Sequence, residues 1–203
     1  MIRLSLIGLF LIGLIAIVYV LFSSMSGKES GHRLERYAQG ELAKLDFSSG
    51  GEPAADTAFF TADGRPVTLR AWRGKTVLVN FWATWCSPCE QEMPSLGALQ
   101  AGRGGDSFEI VAISVDASED QAYAEGRLAE LGAASITFHI APPENYELVY
   151  DSGVRGFPTS ILYDPAGNEI ARLEGEADWS SIEAVNFIDA LIARADADTD
   201  VQP

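Results

Sequence analysis

The segment Thr76-Val77-Leu78-Val79-Asn80-Phe81-Trp82-Ala83-Thr84-Trp85-Cys86-Ser87-Pro88-Cys89 passes from an apolar, β-branched run straight into a cysteine pair. A run that is apolar on both of its alternating faces suits a central strand covered on both sides. Ser87-Pro88 then opens a helix, because a proline in the first helical turn gives up no needed donor. The cysteines therefore stand at a helix N-terminus, where unpaired N–H groups and the positive end of the dipole favour a thiolate at Cys86. One helical turn between them lets the sulfurs join and part without large movement. C-x-x-C beside a strand–helix–strand pattern points to redox chemistry. A plain staple is the bland alternative, yet so short a loop removes little unfolded-state entropy. Zinc needs two further ligands, and the chain has only His32 and His139 to offer. A copper-carrying thiolate pair is the other alternative, since soft sulfur suits Cu(I).

Working outward, a helix is predicted from Pro88 to about Ala101, ended by Gly102, Gly104 and Gly105. Residues 110–115 form a second buried-strand pattern, followed by a helix over 119–131 ended by Gly132, a short strand at 136–140, and a short helix or turn at 144–151. Residues 159–163 and 168–173 flank Asp164-Pro165-Ala166-Gly167, a hairpin turn signal. Residues 179–194 carry Ile182, Val185, Phe187, Ile188, Leu191 and Ile192 in amphipathic spacing. Upstream, Asp63-Gly64 marks a hairpin over 59–69. Strand–helix alternation closed by a hairpin and a last helix is an α/β arrangement, with helices packed on a mixed sheet.

Residues 4–22 contain no charged side chain and follow Arg3. As a helix they span roughly 28 Å, enough for a bilayer core. The positive-inside rule then puts the N-terminus in the cytoplasm and the remainder outside it. The expected organisation is a transmembrane signal anchor at 1–24, a linker with a short amphipathic helix at 25–52, a globular domain at 53–195 and an acidic tail at 196–203. A cleaved signal peptide is the rival, but the residues after Phe22, Ser23-Ser24-Met25-Ser26-Gly27, though small, lack an A-x-A-like cleavage site.

The chain has 203 residues and a formal net charge of −15. Removing residues 1–30 takes away only Arg3, Lys28 and Glu29, so the acidity belongs to the remainder. A surface this negative repels phosphate backbones and excludes nucleic-acid binding through a basic face. Glu90 and Glu92 read as an acidic rim around Cys86 that would select basic partners.

The run Phe81-Trp82-Ala83-Thr84-Trp85-Cys86-Ser87-Pro88-Cys89 with Glu92-Met93-Pro94, and the second motif Val154-Arg155-Gly156-Phe157-Pro158-Thr159, resemble the active-site signatures of thioredoxin-fold proteins. Within them the chain is most similar to the TlpA-like membrane-anchored thiol:disulfide oxidoreductases of bacteria. The likeness spans about residues 53–195 and includes the Asp63-Gly64 hairpin, the stretch 69–75 and the Asp164-Pro165-Ala166-Gly167 turn. It implies a thioredoxin fold with an N-terminal β-hairpin and a central helix–strand insertion at 119–140, preceded by one transmembrane helix. It makes Cys86 the attacking thiolate and Cys89 the resolving thiol, with Pro158 in cis beside the sulfurs. Trp85, Ser87, Pro88, Phe157 and Thr159 would touch the substrate. Asn80 stands where cytosolic thioredoxins have a buried aspartate, and Glu92, one turn after Cys89, takes over as proton relay.

The resemblance further implies a periplasm-facing reductant on the bacterial cytoplasmic membrane, needing no metal and no cofactor beyond the Cys86–Cys89 disulfide. Its partners would be exported disulfide-bearing proteins: a metallochaperone, an oxidase copper-site subunit or apocytochrome c. A membrane electron carrier would rereduce it. Two alternatives stand beside this. One is the cytochrome c maturation branch, whose members often have Glu after the cis-proline where this chain has Thr159. The other is a non-catalytic copper-binding chaperone.

Overall fold

The computed structural model describes Gly13 and residues 34–199. The expected membrane segment at 4–22 (Gly13 apart), His32 and the last tail residues, 200–203, lie outside the described residues. Among the described residues no helix is long and apolar enough to cross a membrane.

The sheet is built around β3 (Thr76–Trp82), every residue of which is buried, as its two-faced apolar pattern requires. β4 (Phe108–Ser114) runs parallel to it, from Thr76↔Phe108 to Trp82↔Ser114. β5 (Phe138–Ile140) continues the parallel set beside β4. On the other side of β3, β6 (Thr159–Tyr163) and β7 (Glu169–Glu174) pair antiparallel. The hairpin of β1 (Phe59–Thr61) and β2 (Pro66–Val67) turns at Asp63-Gly64, where Gly64 takes φ +77°, and β1 docks antiparallel on β5. The seven strands lie in the order β2-β1-β5-β4-β3-β6-β7. This is the thioredoxin-like α/β arrangement.

Helix α1 (Ser87–Arg103) connects β3 to β4 and carries Pro94 within its length. The insertion contains α2 (Gln121–Leu128) and a wider turn over Ala129–Ala133 that Gly132 ends at φ +84°. α1 passes this turn closely: a Cβ at Gly97 would lie 2.3 Å from the Gly132 carbonyl oxygen, so only glycine fits. α3 (Glu147–Asp151) precedes the cis-proline loop. α4 (Ile182–Thr199) buries Ala184, Phe187, Ile188 and Leu191. It starts after Trp179 and runs past Arg194, so Asp196 to Thr199 are helical and not a separate tail.

The expected linker at 25–52 is corrected from Leu34 onward. Leu34, Leu42 and Leu45 are buried, and Phe47 meets Phe187 edge to face at 6.5 Å. Asp46 and Arg172 exchange backbone hydrogen bonds of 2.8 and 2.9 Å, Glu169 N–H donates to the Glu52 carbonyl at 2.7 Å, and Gly51 N–H returns one to Glu169 at 2.8 Å. This segment therefore lies along the outer edge of β7 and gives its backbone groups partners. Its Ser/Gly-rich composition suggests a break because those partners stand more than a hundred residues away in sequence.

Candidate active site

β3 ends at Trp82, and the chain turns through Ala83-Thr84-Trp85 into Cys86, the N-cap of α1. Cys86 and Cys89 are disulfide-bonded, with Cα atoms 5.3 Å apart. The two sulfurs are not equivalent. Cys86 keeps 6% of its surface open, whereas Cys89 is fully enclosed. The Cys89 backbone N–H donates to Cys86 Sγ at 3.3 Å, so the helix terminus already presents a donor to that sulfur.

Asp116, just after β4, fixes the turn before Cys86. It is buried and accepts hydrogen bonds from Thr84 N–H, at 3.2 Å to one oxygen and 3.1 Å to the other, from the Thr84 hydroxyl at 2.7 Å and from the Ser114 hydroxyl at 2.7 Å. Residue type and burial pattern gave no hint of it, because its partner lies 32 positions upstream.

The Phe157–Pro158 bond is cis and Pro158 is buried, as the second motif implies. Trp85 is 65% exposed and meets the half-buried Phe157 edge to face at 5.8 Å. Ser87 is exposed and Pro88 half-buried. Trp85 and Phe157 thus form an aromatic contact beside Cys86, with the accessible Ser87 and Pro88 following Cys86 in the chain. Thr159 does not join them: it is 1% exposed, its hydroxyl donates to the Gly156 carbonyl at 2.8 Å, and its backbone is paired in β6 between Phe81 and Glu174. The expectation that Thr159 faces a substrate is corrected accordingly; it closes the proline loop.

The acidic rim is also corrected. Glu90 holds Arg127 of α2 in a two-pronged ion pair, at 2.7 and 3.1 Å, and this hydrogen bond lowers its carboxyl pKa. Glu92 is only 3% exposed. Its Oε1 accepts from Asn80 Nδ2 at 2.6 Å, and its Oε2 from Ala177 N–H and Trp179 Nε1–H, both at 3.3 Å. Burial pushes its pKa from 4.5 up to about 7 against these donors, and nearby Glu176 adds to the rise. Ser95 ties the same loop to α1, donating to the Glu92 carbonyl at 2.7 Å and accepting from Trp179 N–H at 3.0 Å. The amphipathic spacing places Trp179 at the start of the last helix, but that helix begins at Ile182, and Trp179 belongs to the loop that holds Glu92.

His139 is enclosed by the Phe59 and Trp72 rings, and its Nδ1 faces the Thr137 carbonyl at 3.0 Å. Among the described residues no group of three or more His, Cys, Asp or Glu side chains is gathered to hold a metal.

A C-x-x-C disulfide at a helix start, with a cis-proline just before β6 whose neighbour Phe157 meets Trp85, can exchange with other disulfides. Comparison with known proteins agrees: the chain belongs to the Redoxin family, which it matches over residues 49–187. It is 30% identical over 145 residues to the thiol-disulfide oxidoreductase ResA of Bacillus cereus, covering 71% of this chain and 81% of that protein. It is 38% identical over 102 residues to the thiol:disulfide interchange protein HelX of Rhodobacter capsulatus, covering 50% of this chain and 53% of that one. A thioredoxin-family thiol:disulfide interchange protein of Chlorobium tepidum superposes with a TM-score of 0.56 at 26% identity, over 70% of this chain and 97% of the other. The TlpA-like resemblance holds, and the chain is a protein thiol:disulfide oxidoreductase.

Proposed function

We propose that the chain is a membrane-tethered, periplasm-facing reductant of disulfides in exported proteins, acting in cytochrome oxidase or cytochrome c assembly. The tether rests on the uncharged stretch at 4–22 and the pathway on the TlpA-like resemblance. The observation that carries the mechanism is the asymmetry of the pair: an edge-exposed Cys86 at a helix terminus and a sealed Cys89 one turn before a buried carboxylate.

In the reduced protein the Cys86 thiolate attacks a partner disulfide. One partner sulfur leaves as a thiolate and a mixed disulfide forms. Cys89, losing its proton to Glu92, attacks Cys86 Sγ. The second partner sulfur leaves, two electrons have passed to the partner, and the Cys86–Cys89 disulfide is restored. A carboxyl titrating near neutral pH can accept that proton and return it, which an ordinary surface glutamate cannot do as well. Trp85 and Phe157 offer an apolar seat for the partner chain. Resolution by a carboxylate supplied from α1 leaves the strand position, Asn80, free of charge.

The equilibrium reduction potential of the pair tests the direction. A value near thioredoxin's, about −270 mV, is expected, and one near −120 mV makes the protein an oxidant. Glu92→Gln tests the relay: the pH dependence of exchange through about pH 7 should flatten, and an unchanged profile removes Glu92 from the chemistry.

A further inference from the structure

Every hydrogen bond recorded to the Glu92 carboxylate comes from an N–H donor: Asn80 Nδ2, Ala177 N and Trp179 Nε1. That set suits the anion. The neutral acid carries an O–H, and this ring of donors offers it no acceptor. Asn80 holds one in reserve. Its Oδ1 is fully buried and has no hydrogen-bond partner, while its Nδ2 donates both to Glu92 and, at 3.0 Å, to Ser160 Oγ on the neighbouring strand β6. An unpaired amide oxygen in a buried central strand is costly, on the order of 1–3 kcal/mol, and calls for a reason.

We propose that Asn80, backed by Ser160, is a positioning residue that serves both protonation states of Glu92: its amide donates to the carboxylate and, turned over, accepts from the neutral acid. A half-turn of the amide exchanges Oδ1 and Nδ2 in place. The Glu92 O–H then donates to Oδ1. The Ser160 hydroxyl, which accepts from Nδ2 in the charged state, donates to Oδ1 in the neutral one, because a hydroxyl can do either. One amide atom is left unpaired in each state, so that cost cancels between them. Ala177 and Trp179 keep donating to Oε2, which is the carbonyl oxygen of the neutral acid. The groups recorded around this carboxyl are Asn80, backed by Ser160, from the strands and Ala177, Trp179 and the charged Glu176 from the loop before α4, while Ser95 on α1 holds the Glu92 backbone carbonyl. Glu176 is the one charge among them, and it acts equally whichever way the amide points. A carboxyl so housed can gain and lose a proton without disturbing the backbone around the disulfide.

The inference rests on the relay reading of Glu92 for its use, but its test does not. Carbon- and nitrogen-detected NMR on the oxidised full-length protein, in which neither cysteine titrates, follows the Glu92 carboxyl carbon and the Asn80 side-chain amide between about pH 5 and pH 9. The Asn80 amide should move with the Glu92 midpoint and become pH-independent in Glu92→Gln. In Asn80→Ala each protonation state of Glu92 loses one hydrogen bond, so the Glu92 midpoint should move by well under about one pH unit, whereas the loss of a side chain that only donates to the anion would raise it by about a full unit, a tenfold gain in proton affinity. An Asn80 amide that stays fixed while Glu92 titrates overturns the proposal, and so does a Glu92 midpoint raised by a full pH unit or more in folded Asn80→Ala. The wild-type titration decides the matter if that variant does not fold. A relay role that fails shows only in the exchange kinetics of Glu92→Gln, so the two ideas fail separately.

Discussion

Glu90 and Glu92 are the same residue type, two positions apart on one helix, and their carboxyls are driven in opposite directions. Residues i and i+2 do not share a helix face. Glu90 therefore points to α2, where the Arg127 guanidinium grips it and favours its anion. Glu92 points inward to β3 and the loop before α4, where burial dominates over three neutral donors and, among the described residues, no cation is paired with it. The first joins two helices; the second is a buried carboxyl with a raised pKa, one helical turn after Cys89. Local sequence sets which face each residue takes, and distant sequence decides what waits there.

The largest expected effect separates them by pH. The Glu92 pKa is raised on folding, from 4.5 to about 7. The folded state thus binds the proton more tightly, and the stability this gives is complete below about pH 4.5 and lost as pH rises to about pH 7. Across that window the unfolding free energy of Glu92→Gln should gain roughly 3 kcal/mol on the wild type. Urea unfolding at the two ends measures it, and a gap independent of pH contradicts the raised pKa. Next in size, Trp179→Phe keeps a ring but removes the indole donor to Oε2. The Glu92 midpoint should rise by about one further unit in the oxidised protein, or about 1.4 kcal/mol; a fall would mean that the indole does not serve the anion. The smallest effect belongs to Glu90. Its pKa is lowered, so its contribution is present above pH 4.5 and fades as pH falls through the folded value. Glu90→Gln should cost about 0.5–1 kcal/mol at neutral pH and low salt, and nearly nothing near 1 M salt. A salt-insensitive loss would point to packing instead.

The parts of the fold set by local pattern were legible. The two-faced strand at 76–82, the Asp63-Gly64 turn, the cysteine pair at a helix start and the proline motif all stand where their residues imply. Legibility failed where one side chain's fate depends on a remote one. Glu90 looks like a free rim charge until Arg127, 37 residues on, is placed against it. Thr159 looks like a contact residue until the register of β6 turns it inward. Asn80 looks like a lost aspartate until Glu92 and Ser160 arrive from α1 and β6. In each case the chemistry of the residue was readable and its company was not.

The segment bonded along β7 changes the mechanics of the proposed tether. If the leash ran from the membrane to Pro53, the domain would sample a wide volume. With Leu34 buried and the backbone bonded to β7 from Asp46, the proposed tether would have only residues 23–33 outside the domain, a contour length of at most about 40 Å. On that tether the disulfide would be confined to a thin layer beside the membrane. For partners held in the same membrane, that confinement would raise the local concentration of Cys86 and replace a three-dimensional search with a nearly two-dimensional one.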